Sequence, residues 1–286
     1  MPVKITYYGV RGSTPSPGKD FNRYGGNTTC VFIQTEDQNI ILDAGTGIRM
    51  LGNDLMNQGF GTHGGHCHLL FSHTHWDHIQ GFPFFVPAYL PQNRFDIYGE
   101  TKIIPVPDGD AKHQWSIQDV LSMQQNFMYF PVSTKDLASS ITYHVVESGH
   151  KLDFGYTEVN ILKLKHPNSS LGFSFKFKKN KYVFCTDVEH SPEMIEELAE
   201  FAKDADYLAY DSQYTPEEYK KSKIGWGHST FAVAAEIARK AKVKMVHMIH
   251  HDPIHNDAAL DDLEKRAQAE YKNIMVVPEG YTIDLE

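Results

Sequence analysis

A chain of 286 residues, 41% of them hydrophobic and 22% charged, has the make-up of a folded globular protein and the length to bury a sizeable core. No apolar run approaches the ~20 residues of a membrane-spanning helix. The N-terminus lacks the apolar stretch of a signal peptide, so a cytoplasmic location with no membrane partner is expected. The formal charge of −9 argues against tight, non-specific binding of long nucleic acids, which needs a basic surface. It leaves small anionic substrates open.

Residues 3–8 alternate like a first strand. Residues 9–26 form a Gly/Pro/Ser-rich connection, read as an ordered loop over a site. Residues 28–35 and 39–43 predict a hairpin, and Asp43-Ala44-Gly45-Thr46-Gly47 a sharp turn into a helix over 48–58. The apolar run 67–71 predicts a buried strand. After it, residues 79–89 read as a short helix broken at Pro83 and Pro87, and 95–98 as a strand. From 101 to 141 the sheet pattern lapses. Pro105 to Asp110 reads as a loop, Ser116 caps a helix, and Phe127 to Phe130 is an aromatic cluster. This segment is expected to be an insertion in one single domain, serving as a lid or a dimer contact. Strands return at 141–146, 151–154, 157–164, 171–177, 181–186, 207–210, 243–249, 273–277 and 281–285. Helices are expected after Ser191, from Ser229/Thr230 to 242, and over 257–271. Cys30, Cys67 and Cys185 lie in apolar runs and read as reduced core residues.

One string carries chemistry. Ser72-His73-Thr74-His75-Trp76-Asp77-His78 directly follows the strand at 67–71. On an extended or turned backbone His73 and His75 share a side, while Asp77 and His78 lie just beyond the turn. Imidazole and carboxylate without thiolate suit zinc, manganese or iron at an open hydrolytic centre. Four later residues stand at strand ends: His166, Asp187, Asp211 and His250. His251 is a rival for His250, and the first position after the strand favours His250. Asp43, ending a strand, could take the N–H of a ligand imidazole and so orient it. His63, His66, His68, His113, His144, His150 and His190 read as solvated or structural.

The H-x-H-x-D-H string and the ordered strand-end residues resemble the metallo-β-lactamase superfamily of dinuclear hydrolases. The resemblance implies an α/β fold, the αββα sandwich of two mixed sheets flanked by helices. It implies two divalent cations, zinc foremost, with His73, His75 and His166 on one and Asp77, His78 and His250 on the other. Asp187 would bridge them, and Asp77 would also steer the nucleophile. Gly227-His228-Ser229-Thr230, with Asp211 upstream, resembles the phosphodiesterase branch, which includes tRNase Z and phosphoribosyl cyclic-phosphate phosphodiesterases. There the histidine, matched by His228, gives a proton to the leaving oxygen, and the acid, matched by Asp211, supports it.

The run Gly9-Val10-Arg11-Gly12-Ser13-Thr14-Pro15, then Arg23-Tyr24-Gly25-Gly26-Asn27-Thr28, resembles a bacterial and phage group that includes 3′,5′-cyclic-nucleotide phosphodiesterases. That implies a small cyclic-nucleotide substrate and a homodimer. Asn27 and nearby glycines could meet a phosphate, Arg11 or Arg23 could pair with it, and His251 could face the substrate or back a ligand. tRNase Z is similar to this chain except for its long RNA-gripping arm. That arm falls between the positions matching His166 and Asp187, which a strand hairpin joins here. A phosphoribosyl cyclic-phosphate phosphodiesterase, a nuclease, a lactonase or thioesterase, and a silent ligand sensor are the rival readings.

Overall fold

The computed structural model describes residues 3–105 and 112–285. Its strands are β1 (Val3–Gly9), β2 (Cys30–Gln34), β3 (Asn39–Leu42), β4 (His66–Leu70), β5 (Arg94–Gly99), β6 (Lys102–Pro105), β7 (Lys112–Trp115) and β8 (Ser140–Val145). They continue with β9 (Lys151–Phe154), β10 (Thr157–Leu164), β11 (Ser170–Lys176), β12 (Lys181–Cys185), β13 (Tyr207–Asp211), β14 (Met245–Ile249), β15 (Ile274–Val276) and β16 (Thr282–Leu285). The helices are α1 (Ile48–Leu55), α2 (Trp76–Ile79), α3 (Ile117–Gln124), α4 (Pro192–Phe201), α5 (Pro216–Glu218), α6 (Phe231–Ala241) and α7 (Asp257–Glu270).

Two seven-stranded mixed sheets form, in the orders β16-β1-β2-β3-β4-β5-β8 and β15-β14-β13-β12-β11-β10-β9. The parallel stretches are β3 to β8 in one and β12 to β15 in the other. β12, β13 and β14 are buried over most of their length, as suits strands covered on both faces, whereas the edge strand β8 is largely exposed or half-buried. Ile5, Tyr7, Ile33 and Leu42 meet Phe173, Phe175 and Phe184 between the sheets. On one outer face Ile41, Leu69 and Ile97 pack with Ile48 and Leu51 of α1 and Leu121 of α3. On the other, Val183, Leu208 and Met248 pack with Leu198 of α4, Ile237 of α6 and Leu263 of α7. This is the αββα sandwich. Cys30, Cys67 and Cys185 are free and buried.

Local signals mark the helix starts. Ser116 accepts from the Asp119 amide and Asp119 reaches back to Ser116, the reciprocal cap that satisfies orphan donors of the first turn. Ser191 and Thr230 cap α4 and α6 by accepting from the Met194 and Val233 amides. Two expectations are corrected. The helix after the histidine string begins at Trp76, with His75 as its N-cap, so Asp77 and His78 sit in its first turn. Residues 101–115 are not devoid of sheet. β6 and β7 pair antiparallel, a hairpin too short and too polar for alternation to show. The loop expected at Pro105 to Asp110 lies, beyond Pro105, outside the described residues. Among those described, no helix is long and apolar enough to cross a membrane.

Candidate dimetal site

Six strands end at one rim of the sandwich. His73 follows β4, Asp43 follows β3, His166 follows β10, Asp187 follows β12, Asp211 closes β13 and His250 follows β14. Ligand sites favour the carboxyl ends of strands in open α/β sheets, because the backbone there turns away and leaves a crevice. Asp43, Asp187 and His250 all have positive φ, 60°, 55° and 60°. Non-glycine residues rarely adopt this left-handed conformation, which costs on the order of 1 kcal/mol or more each. The turn aims each side chain sideways along the rim instead of into either sheet.

The donor atoms fall into two groups that share one carboxylate. His73, His75, His166 and Asp187 form the first, and Asp77, His78 and His250 the second. Asp187 Oδ1 lies 3.7 Å from Nε2 of both His73 and His166. Its other oxygen, Oδ2, lies 3.1 Å from His78 Nε2 and 3.2 Å from His250 Nε2. Asp77 Oδ2 completes the second group at 3.2 Å from both rings. One carboxylate thus presents one oxygen to each group. His73 Nε2 is buried without any hydrogen-bond partner, so a donor points into the first group with nothing on the protein to satisfy it. Convergent nitrogen and oxygen donors with an orphaned buried imidazole fit a pair of divalent cations.

The outer nitrogens are held. His78 Nδ1 donates to Asp43 Oδ2 at 2.8 Å, and Asp43 also accepts from Ser72 N and Ser72 Oγ, each at 2.7 Å. His166 Nδ1 donates to Gly227 O at 2.7 Å. His250 Nδ1 meets Gln213 Oε1 at 3.0 Å. A ring whose Nδ1 carries the proton has Nε2 available to a cation, and its rotation is stopped. Burial, the largest cause, holds His73 well below the ordinary histidine range and takes His166 down to about 4, so both are neutral donors. At His250 burial also acts downward, but Asp187 and the bond to Asp77 outweigh it and raise the ring to about 9. The two carboxylates therefore favour positive charge at this spot.

His228 Nδ1 sits 2.8 Å from Asp211 Oδ2 and 3.8 Å from Asp187 Oδ1. Its ring stacks on His250 with centroids 5.0 Å apart. Asp211 is fully buried and also accepts from the Val188, Gln213 and Ser229 amides. With Nδ1 committed to that carboxylate, the Nε2 edge of His228 is the one free to meet a substrate.

Sequence reasoning missed the positioning roles of four residues, Glu189, Gly227, Ser72 and Gln213. Glu189 accepts from the Gly225 and Gly227 amides at 2.6 and 2.9 Å and from Tyr219 Oη at 2.8 Å. It braces the loop that delivers His228. A Cβ at Gly227, where φ is +87°, would lie 2.4 Å from His166 Nδ1, so only glycine fits. Ser72 and Gln213 orient ligand side chains as above. Their signal was adjacency to the motif residues, which single-residue reading passes over.

Four readings are corrected. Arg11 is fully buried and donates to Gly25 O, His255 O and Asp252 O, so it ties loops together and does not face a phosphate. Arg23 pairs with Asp261 and donates to Asp257 O. Asn27 is spent on Glu279 through its side chain and amide, and its carbonyl accepts from Val10 and Arg11. His251 is fully buried beside Arg11, and its backbone pairs with Val10 and Gly12. Its ring nitrogens are buried without a hydrogen-bond partner, and His250 is the residue in the donor group.

A family model described as a beta-lactamase superfamily domain matches residues 38–251. Ribonuclease Z of Clostridium kluyveri is 22% identical, over 88% of this chain and 88% of its own length. The metallo-beta-lactamase fold protein YhfI from Bacillus subtilis superposes with a TM-score of 0.73 at 18% identity, covering 99% of both chains. A diphosphatase from the PhnP family superposes at 0.66 and 16%, covering 100% of this chain and 98% of that one. The chain belongs to the metallo-β-lactamase superfamily.

Two predictions follow from the donor geometry. Asp187→Ala removes the carboxylate common to both groups, so elemental analysis of the purified variant should find both metals lost or one weakly held. Two tightly bound metals per chain would refute the bridging role. Asp43→Ala frees the His78 ring, and metal affinity measured by chelator competition should fall about 10–100-fold with the fold intact by circular dichroism.

Proposed function

We propose that this chain is a dinuclear phosphodiesterase that hydrolyses a small cyclic phosphodiester, a 3′,5′-cyclic nucleotide. The observation that carries the reading is the His228–Asp211 pair standing directly beside the split carboxylate of Asp187. Two divalent cations held by His73, His75, His166, Asp77, His78, His250 and Asp187 would supply Lewis-acid polarisation of the phosphate and an activated water; zinc suits these donors best. Asp77, whose Oδ2 also accepts from the Ser13 amide at 2.7 Å, orients the attacking water as it loses its proton. In-line attack forms one P–O bond and breaks the bond to the 3′- or 5′-oxygen. His228 gives its Nε2 proton to that oxygen, and Asp211 stabilises the ring through the transfer. The product is a linear nucleotide monoester.

Recognition of the base is assigned to a neighbouring cleft of about 690 Å³, lined by His75, Trp76, Trp115, Met123 and Tyr129 among others. It opens from the donor group through His75. Exposed aromatic faces next to a cationic site suit a base stacked beside its phosphate. Trp76 is 59% exposed and Tyr129 73%, which is costly in water unless something covers them. In this reading the segment 101–141 is an insertion that serves as a lid over the cleft.

A second reading, removal of a tRNA 3′ trailer, is favoured by the similarity to a ribonuclease Z over most of the chain. The stretch between His166 and Asp187 weighs against it, because it is filled by β11 and β12. The acidic balance agrees. A panel of cyclic mono- and dinucleotides and a pre-tRNA, with products identified by mass spectrometry, decides between them. Rapid cyclic mononucleotide hydrolysis is expected, and position-specific trimming of the tRNA at a higher efficiency would reverse the order.

The proton donor has its own test. A ribose alkoxide is a poor leaving group, whereas p-nitrophenolate leaves unassisted. His228→Ala should lower turnover of a cyclic nucleotide about 10²–10⁴-fold and that of bis-p-nitrophenyl phosphate much less, with metal content unchanged. Equal losses on both substrates would make His228 a structural residue.

A further inference from the structure

The histidines that looked isolated in the sequence are not all isolated in the fold. His66 and His68 stand two apart on β4 and so share a face. Asp96 is the β5 partner of His68, and His144 comes from β8, where it pairs with Tyr98. The donor atoms of His66, His68 and Asp96 lie within 4.8 Å of one another. His66 Nε2 and His144 Nε2 approach the two oxygens of Asp96 from either side, each at 2.7 Å. Asp96 is 6% exposed, while the two histidines are 38% exposed, so solvent reaches the group from one side only. His68 is packed flat against Phe154 with centroids 4.0 Å apart, and His144 against Tyr98 at 4.5 Å. The group lies at the far end of β4 from the catalytic string. The five steps from His68 to His73 span about 16 Å of extended chain, too far for the two sites to share a donor.

We propose that His66, His68 and Asp96 form a second transition-metal site, taking one zinc- or nickel-class cation and clipping β4 to β5, while His144 of β8 braces the other oxygen of Asp96. Two imidazoles and one carboxylate are a borderline-soft donor set of the kind that binds these ions. Three adjacent strands hold it, and two of the rings are wedged by aromatic neighbours. Burial takes His68 down to about 4, so it is a neutral donor. The present partners mark the positions a cation would take over. The bridging proton between His66 and Asp96 would be displaced. Arg94 Nη2, 3.1 Å from Asp96 Oδ2 on a side chain 60% exposed, can swing into water. His68 would give up one of its bonds to Tyr98 Oη and Gln38 Oε1.

Equilibrium dialysis against Ni²⁺ and, separately, Zn²⁺, followed by elemental analysis, tests the site. The wild-type chain should retain one cation more than the His66→Gln/His144→Gln double variant. That difference, and not the total, is the reading, so it stands apart from any outcome at the catalytic centre. Ni²⁺ should raise the melting temperature of the wild type and not of the variant. Hydrolysis of bis-p-nitrophenyl phosphate should match in the two, which also shows that the variant folds. If the double change impairs folding, His66→Gln alone, at an accessible ring, serves in its place. Equal cation counts in wild type and variant would overturn the site and leave a hydrogen-bonded His–Asp–His latch.

Discussion

The structure turns on one buried carboxylate. Asp187 has almost no contact with solvent, and a buried anion is tolerated only when positive charge and hydrogen bonds surround it. Its two oxygens face two different groups of imidazoles, and Thr186 Oγ1 donates to Oδ2 at 2.6 Å. Elements from both sheets deliver groups to this charge: β4 and α2 the histidine string, β10 His166, β14 His250, and the loop before α6 His228. Pulling any of these strands out of register by one residue would turn its rim residue to the other face. The two sheets must therefore be built before the centre exists.

Strain accompanies that assembly. Positive φ at Asp43, Asp187 and His250 would each favour a different local backbone. They are held by tertiary bonds: Asp43 by Ser72 and His78, His250 by Gln213 and Asp77. Strain of this kind persists where the surroundings over-determine it, and it places polar groups where a relaxed strand end would not. Gly12 and Gly227 complete the fit by letting backbone approach the rings of His250 and His166 more closely than any side chain permits.

The two halves of the site differ in chemistry. On one side lie charged donors with almost no freedom. On the other, Trp76, Trp115, Met123 and Tyr129 form a wide apolar wall. His75 belongs to both, as a member of the first donor group and a lining residue of the cleft. In the proposed reading, a ligand bridging the two has one end anionic and the other flat and apolar, as a nucleotide does.

The sequence alone determined a good deal. The strand before Ser72, the H-x-H-x-D-H string, the capped helices at Ser116, Ser191 and Thr230, and the strand-end positions of His166, Asp187, Asp211 and His250 are all local signals. Each is written in a few consecutive residues, so it survives without knowledge of the fold. Only the tertiary structure decided which residues meet across the chain. Arg11 looked like a phosphate clamp until burial tied it to carbonyls 241 and 244 positions away. Glu189 and Gln213 act through partners on other elements, and the His66–His68–Asp96–His144 group exists because β4, β5 and β8 pair in parallel. Parallel strands are joined by long crossovers, so their register is set by sheet packing and not by any short stretch of sequence.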